Sequence, residues 1–276
     1  MSDMPANVPL ARTAARKRWG ILLFLPLSLS LVVLVVMGNQ WRDTLRTERV
    51  LVEGASILPV KDVLTLASIK PRSKMTAIDL YDVRSRLLTQ PFVKTATVSR
   101  LYPGTVVIQI EERKPIGLLS GGQIRYVDAD GMILPYVNSA VTVDIPAISN
   151  IDGMQGAEIG KVFAAKEMTE AIGILKAAQA VDSTMYHFIS EVDMQSGRDI
   201  VLYSSDVVVQ IYLGRGEIPK KLVTLHAFWN TIAKTADVDR VKSLDLRYDD
   251  QVVVKWNQQP SPGNAGRGAA SPKGLI

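Results

Sequence analysis

The sequence predicts an α+β protein: a single N-terminal transmembrane helix, a small β-α-α-β-β domain, and a second, mostly antiparallel β domain with flanking helices. Three observations predict it. Gly20 to Gly38 is an apolar run without one charge. Residues 49–113 read in the order strand, helix, helix, strand, strand. From Ile116 onward, short apolar segments alternate with turn pairs such as Gly121-Gly122 and Asp130-Gly131, interrupted by two helical stretches. The expected divisions are a cytoplasmic tail over 1–18, a membrane helix over 19–39, the small domain over 45–115, the β domain over 116–257 and a disordered tail over 258–276.

About 19 residues at roughly 1.5 Å rise give about 28 Å, close to the ~30 Å hydrocarbon core of a bilayer. Trp19 and Trp41 flank the run where amphipathic rings prefer to sit. Arg12, Arg16, Lys17 and Arg18 lie on its N-terminal side, whereas the other flank offers Arg42 diluted by Asp43. This asymmetry keeps the N-terminus in the cytoplasm and places the bulk of the chain outside the inner membrane. A cleaved signal peptide is the competing reading. Its apolar core would span about 7 to 15 residues and end at an Ala-x-Ala type site, whereas this run ends Val-Met-Gly-Asn-Gln-Trp.

The 276 residues include no cysteine and two histidines, His187 and His226. Disulfides are therefore excluded, and zinc or thiol chemistry has too few ligands. Neither a metal nor another cofactor is expected. The formal net charge of +5 owes much to the basic arm, which topology and the anionic inner leaflet explain, so nucleic acid is not an expected partner.

After the anchor, Arg49 to Gly54 reads as a strand. Leu58 to Ser68 follows as a helix behind Pro59, with Val60, Val63, Leu64 and Ala67 at helical spacing. Thr76 to Thr89 is a second helix, and strands follow at Val93–Arg100 and Val106–Arg113. Facing Ala96 and Val98 inward with Ile108 and Ile110 pairs Val98 with Ile108 and leaves Leu101–Thr105, around Pro103-Gly104, as the connecting loop.

Here the residues become recognisable. Val-Leu-Val-Glu-Gly at 50–54 precedes this order of elements, and Pro-Phe-Val-Lys-Thr-Ala-Thr-Val-Ser-Arg-Leu-Tyr-Pro-Gly-Thr-Val-Val-Ile-Gln-Ile-Glu-Glu-Arg-Lys-Pro at 91–115 closes it. Together they resemble a POTRA domain, and more narrowly the bacterial cell division family FtsQ/DivIB. Val127-Asp128-Ala129-Asp130-Gly131 resembles that family's next hairpin. For Asp128 and Asp130 a calcium loop is the sharper reading, but the oxygen positions it needs are missing and turn chemistry suffices.

In the second domain strands are expected at Ile116–Leu119, Ile124–Asp128 and Met132–Pro135, with a loop-rich stretch over Asn138–Gly160. A helix is expected over Phe163–Val181, then strands at Phe188–Met194, Asp199–Tyr203 and Val207–Leu213. Gly214-Arg215-Gly216 fits no phosphate-binding motif and reads as a turn. Ile218–Thr235 is a helix with Ile218, Leu222, Leu225, Trp229 and Ile232 on one stripe; His226 lies beside it.

The last two strands, Val241–Tyr248 and Val252–Trp256, carry the functional expectation. A three-residue loop, Asp249-Asp250-Gln251, sets Tyr248 opposite Val252, Leu246 opposite Val254, Leu244 opposite Trp256 and Asp245 opposite Lys255. Asp245, Arg247, Tyr248 and Trp256 resemble the family's closing pattern. A β-branched strand at Val252-Val253-Val254 leaves an open edge unless an earlier strand covers it, and an open edge invites a partner strand.

The resemblance implies a bitopic, non-enzymatic scaffold at the division septum that binds the periplasmic segments of FtsB and FtsL, with its POTRA domain contributing to recruitment through other division components. The expected partner surface is Arg247, Tyr248, Val252, Val253, Val254, Lys255 and Trp256, and the anchor is flanked by Arg16, Lys17, Arg18, Trp19 and Trp41. Two alternatives stay open: another POTRA-type periplasmic adaptor for transport or envelope assembly, and an anchored periplasmic enzyme. No nucleophile, zinc or paired-carboxylate motif supports the enzyme.

Overall fold

A computed structural model describes residues 14–137, 144–195, 198–235, 238–249 and 251–257, with side chains described from Pro26 onward. The chain divides into two compact units, the first comprising Met1–Leu88 with Thr95–Glu111, the second Thr89–Lys94 with Glu112–Ile276.

The first unit opens with helix α1, Ala14–Thr44, 31 residues long. Among the described residues no helix is long and apolar enough to cross a membrane; the described side chains hold only Pro26 to Gly38 of the apolar run. Leu45–Glu48 then leads into β1 (Arg49–Glu53), α2 (Val60–Ala67), a 3-10 turn (Met75–Ala77), α3 (Leu80–Leu87), β2 (Val93–Leu101) and β3 (Thr105–Glu112). The sheet order is β1-β3-β2, with β1 parallel to β3.

The expected second helix is thus split. Asp79 accepts hydrogen bonds from the backbone N–H groups of Tyr81 (2.9 Å) and Asp82 (3.2 Å), so the α-helix starts at its cap and the preceding residues tighten into the 3-10 turn. Val63, Ala67, Val83, Leu87, Ala96, Val106, Ile108 and Ile110 are buried, whereas Val60 and Leu64 of the expected α2 stripe are exposed, so that helix buries a narrower face than its spacing suggested. Arg86 donates to the C-terminal carbonyls of α2, Leu66 (3.2 Å) and Ala67 (2.6 Å), and so pins the two helices together. Gly54 has φ +84°, and a Cβ there would run into the Ile110 carbonyl, which gives the Val-Glu-Gly block its physical reason. The β2–β3 connection is tighter than expected, Tyr102–Gly104. Thr95 Oγ1 donates to Glu111 Oε2 at 3.2 Å, a cross-strand contact that the expected pairing of Val98 with Ile108 would bring about.

The second unit is built on one nine-stranded sheet. Its strands are β4 (Pro115–Leu119), β5 (Arg125–Asp128), β6 (Ile133–Pro135), β7 (Ala147–Ser149), β8 (Ile189–Asp193), β9 (Val201–Ser204), β10 (Gln210–Tyr212), β11 (Val241–Asp245) and β12 (Val253–Trp256), with helices α4 (Lys166–Val181), α5 (Ser183–Phe188) and α6 (Ile218–Ile232). The order is β12-β11-β10-β9-β8-β7-β4-β5-β6.

Five of the eight pairings are antiparallel, the expected majority, but β4–β7, β7–β8 and β10–β11 are parallel, so the sheet is mixed. Two of the parallel pairings come from β7, three residues inside the stretch expected to be loop, which sit in the interior of the sheet between β8 and β4. Such a short segment carries no periodicity of its own. Met168, Ala171, Ile172 and Leu175 of α4 and Leu222, Leu225 and Trp229 of α6 share one buried cluster with Ile148, Val192, Leu202, Ile211 and Leu244 from the strands. Phe188 packs on Trp229 with ring centroids 4.6 Å apart.

Candidate functional site

An open sheet has two ends, and here they differ. At one end β6 is covered by the chain's own backbone: Ile133 N–H donates to Lys161 O (3.0 Å), Gly160 N–H to Ile133 O (2.8 Å) and Phe163 N–H to Gly131 O (3.0 Å). At the other end β12 has β11 on one side and, among the described residues, nothing on its outer side. Sequence reasoning expected an open rim at Val252–Trp256; that the opposite rim is closed was not legible.

The register of β12 corrects the expected one. Leu244 pairs with Val254, not Trp256, and Asp245 with Val253, not Lys255; Ser243 faces Lys255, and after a bulge Val241 faces Trp256. The physical reason lies just past Asp245. Leu246 turns its N–H to Tyr212 O of β10 at 2.9 Å, and Arg247 folds back on Asp245. The chain leaves the ladder there, so the connection runs over 246–252 instead of three residues. A two-residue shift leaves every side chain on its own face, and that is why the alternation pattern could not distinguish the two registers.

The same contacts orient the rim. Leu246 directs its N–H toward β10, so Asp245 and Ser243 direct theirs toward β12. Asn257 N–H donates to Arg240 O at 2.7 Å, which sets the alternation on β12. Val253 and Lys255 therefore pair with β11, while the backbone N–H and C=O groups of Val254 and Trp256 point outward, away from β11. Val252 and Val254 pack half-buried on the core, whereas Val253 is 46% exposed, Trp256 42% and Tyr248 57%, and Lys255 is exposed.

Arg247 is held by contacts within its own unit. Its guanidinium donates to Asp245 Oδ1 (2.9 Å) and Oδ2 (2.6 Å) and to Asp199 Oδ2 (2.9 Å), and lies 5.3 Å from the Tyr212 ring centroid. These hydrogen bonds hold the Asp245 carboxyl below the usual carboxylate range, against a smaller opposing effect of burial, and push the Arg247 guanidinium up. Gly214 lies against it with φ +64°, where a Cβ would meet Arg247 Cγ at 2.9 Å. Asp199, Tyr212 and Gly214 were not expected at the site. The clamp ties the start of the connection that delivers β12 to the rim to Asp245 and Asp199 at the surface.

A second polar cluster joins two recognised motifs. Arg113 pairs with Asp128 (2.6 Å) and Asp130 (3.3 Å), and Lys94 reaches Asp130 at 3.0 Å. Lys94 holds the Asp130 carboxyl below its ordinary range by hydrogen bond and charge. Asp128 also accepts from the N–H groups of Asp130 (2.8 Å) and Met132 (2.9 Å), so its oxygens serve the turn. Among the described residues no group of three or more His, Cys, Asp or Glu side chains could hold a metal ion. Of the anchor flanks, Trp41 is 57% exposed on α1, while the side chains of Arg16, Lys17, Arg18 and Trp19 lie outside those described.

A β-α-α-β-β module followed by a mixed nine-stranded sheet defines a protein of the POTRA class carrying a second domain. Residues 45–113 match the family model of the POTRA domain, FtsQ-type, and residues 114–255 that of FtsQ/DivIB, C-terminal related. The chain belongs to the FtsQ/DivIB family of cell division proteins. It is 28% identical to the cell division protein FtsQ of Salinibacter ruber over 232 residues, covering 81% of this chain and 88% of that one. It is 26% identical to that of Rhodothermus marinus over 273 residues, 95% and 96% of the two chains, and 26% identical to that of Geotalea daltonii over 212 residues, 76% and 75%. A role in the division machinery follows from this membership.

Proposed function

We infer that this chain is a non-enzymatic scaffold of the division machinery, held in the inner membrane by α1, which takes up an extended periplasmic segment of a partner as a further strand on β12. The partner in this reading is FtsB, in complex with FtsL, which the family resemblance supports. The single observation that carries the reading is the asymmetry of the nine-stranded sheet, closed by its own chain at β6 and, among the described residues, unfilled at β12. A strand laid on β12 would satisfy the outward groups of Val254 and Trp256, with the exposed Tyr248 and Trp256 rings supplying side-chain contacts. Two observations support the anchor: the uncharged run Gly20–Gly38 lies within one continuous helix, and its described side chains Leu27, Leu29, Leu31 and Leu34 are 62–66% exposed, a costly arrangement in water.

The test expresses the full chain with a fluorescent tag and asks whether it gathers at mid-cell, remains with membranes through alkaline extraction, and brings FtsB down with it. Diffuse fluorescence, or capture of FtsB undiminished after β12 is disrupted, would overturn the reading.

A further inference from the structure

We propose that the membrane-proximal end of the POTRA domain is an anionic-phospholipid docking surface, in which a basic collar engages headgroups and a hairpin tip enters the bilayer interface. The inference rests on α1 being the membrane anchor. α1 runs from Gly38 to Thr44 past the end of the apolar run, about 9 Å at roughly 1.5 Å per residue. That length only just clears a headgroup layer of about 5–8 Å.

No flexible linker follows. Met75 N–H donates to Leu45 O (2.9 Å), Thr47 N–H to Ser73 O (2.9 Å) and Arg72 N–H to Thr47 O (3.1 Å), so the loop over residues 70–75 is stitched to the first residues after the helix. Arg46 donates to the Arg72 carbonyl at 3.2 Å. This stitching collects Arg42, Arg46, Lys70, Arg72 and Lys74, all exposed, around the helix exit. Among the described residues none of the five makes an ion pair. At this distance from the headgroups they lie within about one Debye length, ~8–10 Å, of phosphate charge.

The second observation is independent of charge. Glu48 N–H donates to Gly104 O at 2.7 Å, which holds the β2–β3 turn against the same segment. There the tip presents Leu101, 57% exposed, and Tyr102, 45% exposed. A leucine and an amphipathic tyrosine ring beside a basic cluster are the side chains that favour a bilayer interface. Sequence separation hides the arrangement, because Lys70–Lys74 and Leu101–Tyr102 lie far along the chain from the anchor.

The experiment places the full chain in bilayers of mixed phosphatidylcholine and phosphatidylglycerol and reads, from spin-labelled lipids, the preference of the protein for phosphatidylglycerol. The variants are Lys70→Gln/Arg72→Gln/Lys74→Gln and, with the same charge change, Lys161→Gln/Lys166→Gln/Lys176→Gln; the single Lys70→Gln is a milder check if the triple variant misfolds. The unaltered chain should prefer phosphatidylglycerol, less so at high salt. The collar triple should lose at least about fivefold of that preference, the share of one basic side chain at an anionic surface. Lys70→Gln should move in the same direction, and the matched control should stay near the unaltered chain. Excess glycerol phosphate should not compete. The cytoplasmic arm is identical throughout, so the difference reports the collar. Equal losses in both triples, no initial preference, or displacement by glycerol phosphate would each overturn the proposal while leaving the anchor intact. Recovery of the chain away from the bilayer would instead overturn the anchor and the proposal with it.

Discussion

Proline at Val254 separates the docking edge from the fold that carries it. Val254 directs its N–H outward, so proline there removes a donor that β11 never uses. A partner strand would lose that hydrogen bond, worth about 0.5–1.5 kcal/mol net, and bury an acceptor without a donor, a further cost of about 1–3 kcal/mol. At about 1.4 kcal/mol per tenfold, the sum weakens binding by roughly 10-fold or more. Val254→Ala keeps the N–H and should bind within a few-fold of the unaltered chain. Val253→Pro removes an inward donor and should loosen β12 itself. The assay titrates the full chain in detergent into a labelled periplasmic segment of FtsB, following fluorescence anisotropy, with thermal unfolding as the check on folding. Equal binding by Val254→Pro and Val254→Ala, with both folded, would refute strand addition at this rim.

Arg113→Ala should lower the unfolding free energy by about 3 kcal/mol in a denaturant titration, because it leaves the buried Asp128 carboxylate without its cation. Gly214→Ala should cost about 1–2 kcal/mol from its left-handed backbone, and more if Arg247 cannot withdraw; a lowered Tm together with weakened FtsB binding would show that the clamp positions the edge. Asp245 and Asp130 both have folded-state pKa values below the unfolded ones. Their contribution is complete above the usual carboxylate value of about 4 and is lost as pH falls through the lower folded values. Unfolding followed between neutral and strongly acid pH should show that loss, and Asp245→Asn should remove its share.

Much of the fold was legible because it is local. Leu222, Leu225 and Trp229 mark the buried stripe of α6 by spacing alone, and the block from Pro91 to Pro115 carries enough fixed positions to be recognised. The edge position of β12 was legible from composition and placement. The role of Arg247 was not: its partner Asp199 is 48 residues away in sequence, and no spacing rule connects them.

By itself the sequence determined the apolar anchor run, the helical stripes, the β-α-α-β-β order and which face of each late strand is apolar. Those properties are written in neighbouring residues, through periods of 3.6 and 2 and the rigidity of proline and glycine turns. The tertiary structure decided the rest: the place of β7 inside the sheet, the two-residue register of β12, the closure of β6, and the gathering of separate basic segments at the helix exit. Periodicity fixes a strand only to the nearest two residues and says nothing about which distant strand lies beside it. Hydrogen bonds between segments far apart in the chain therefore chose which of the two rims was left free.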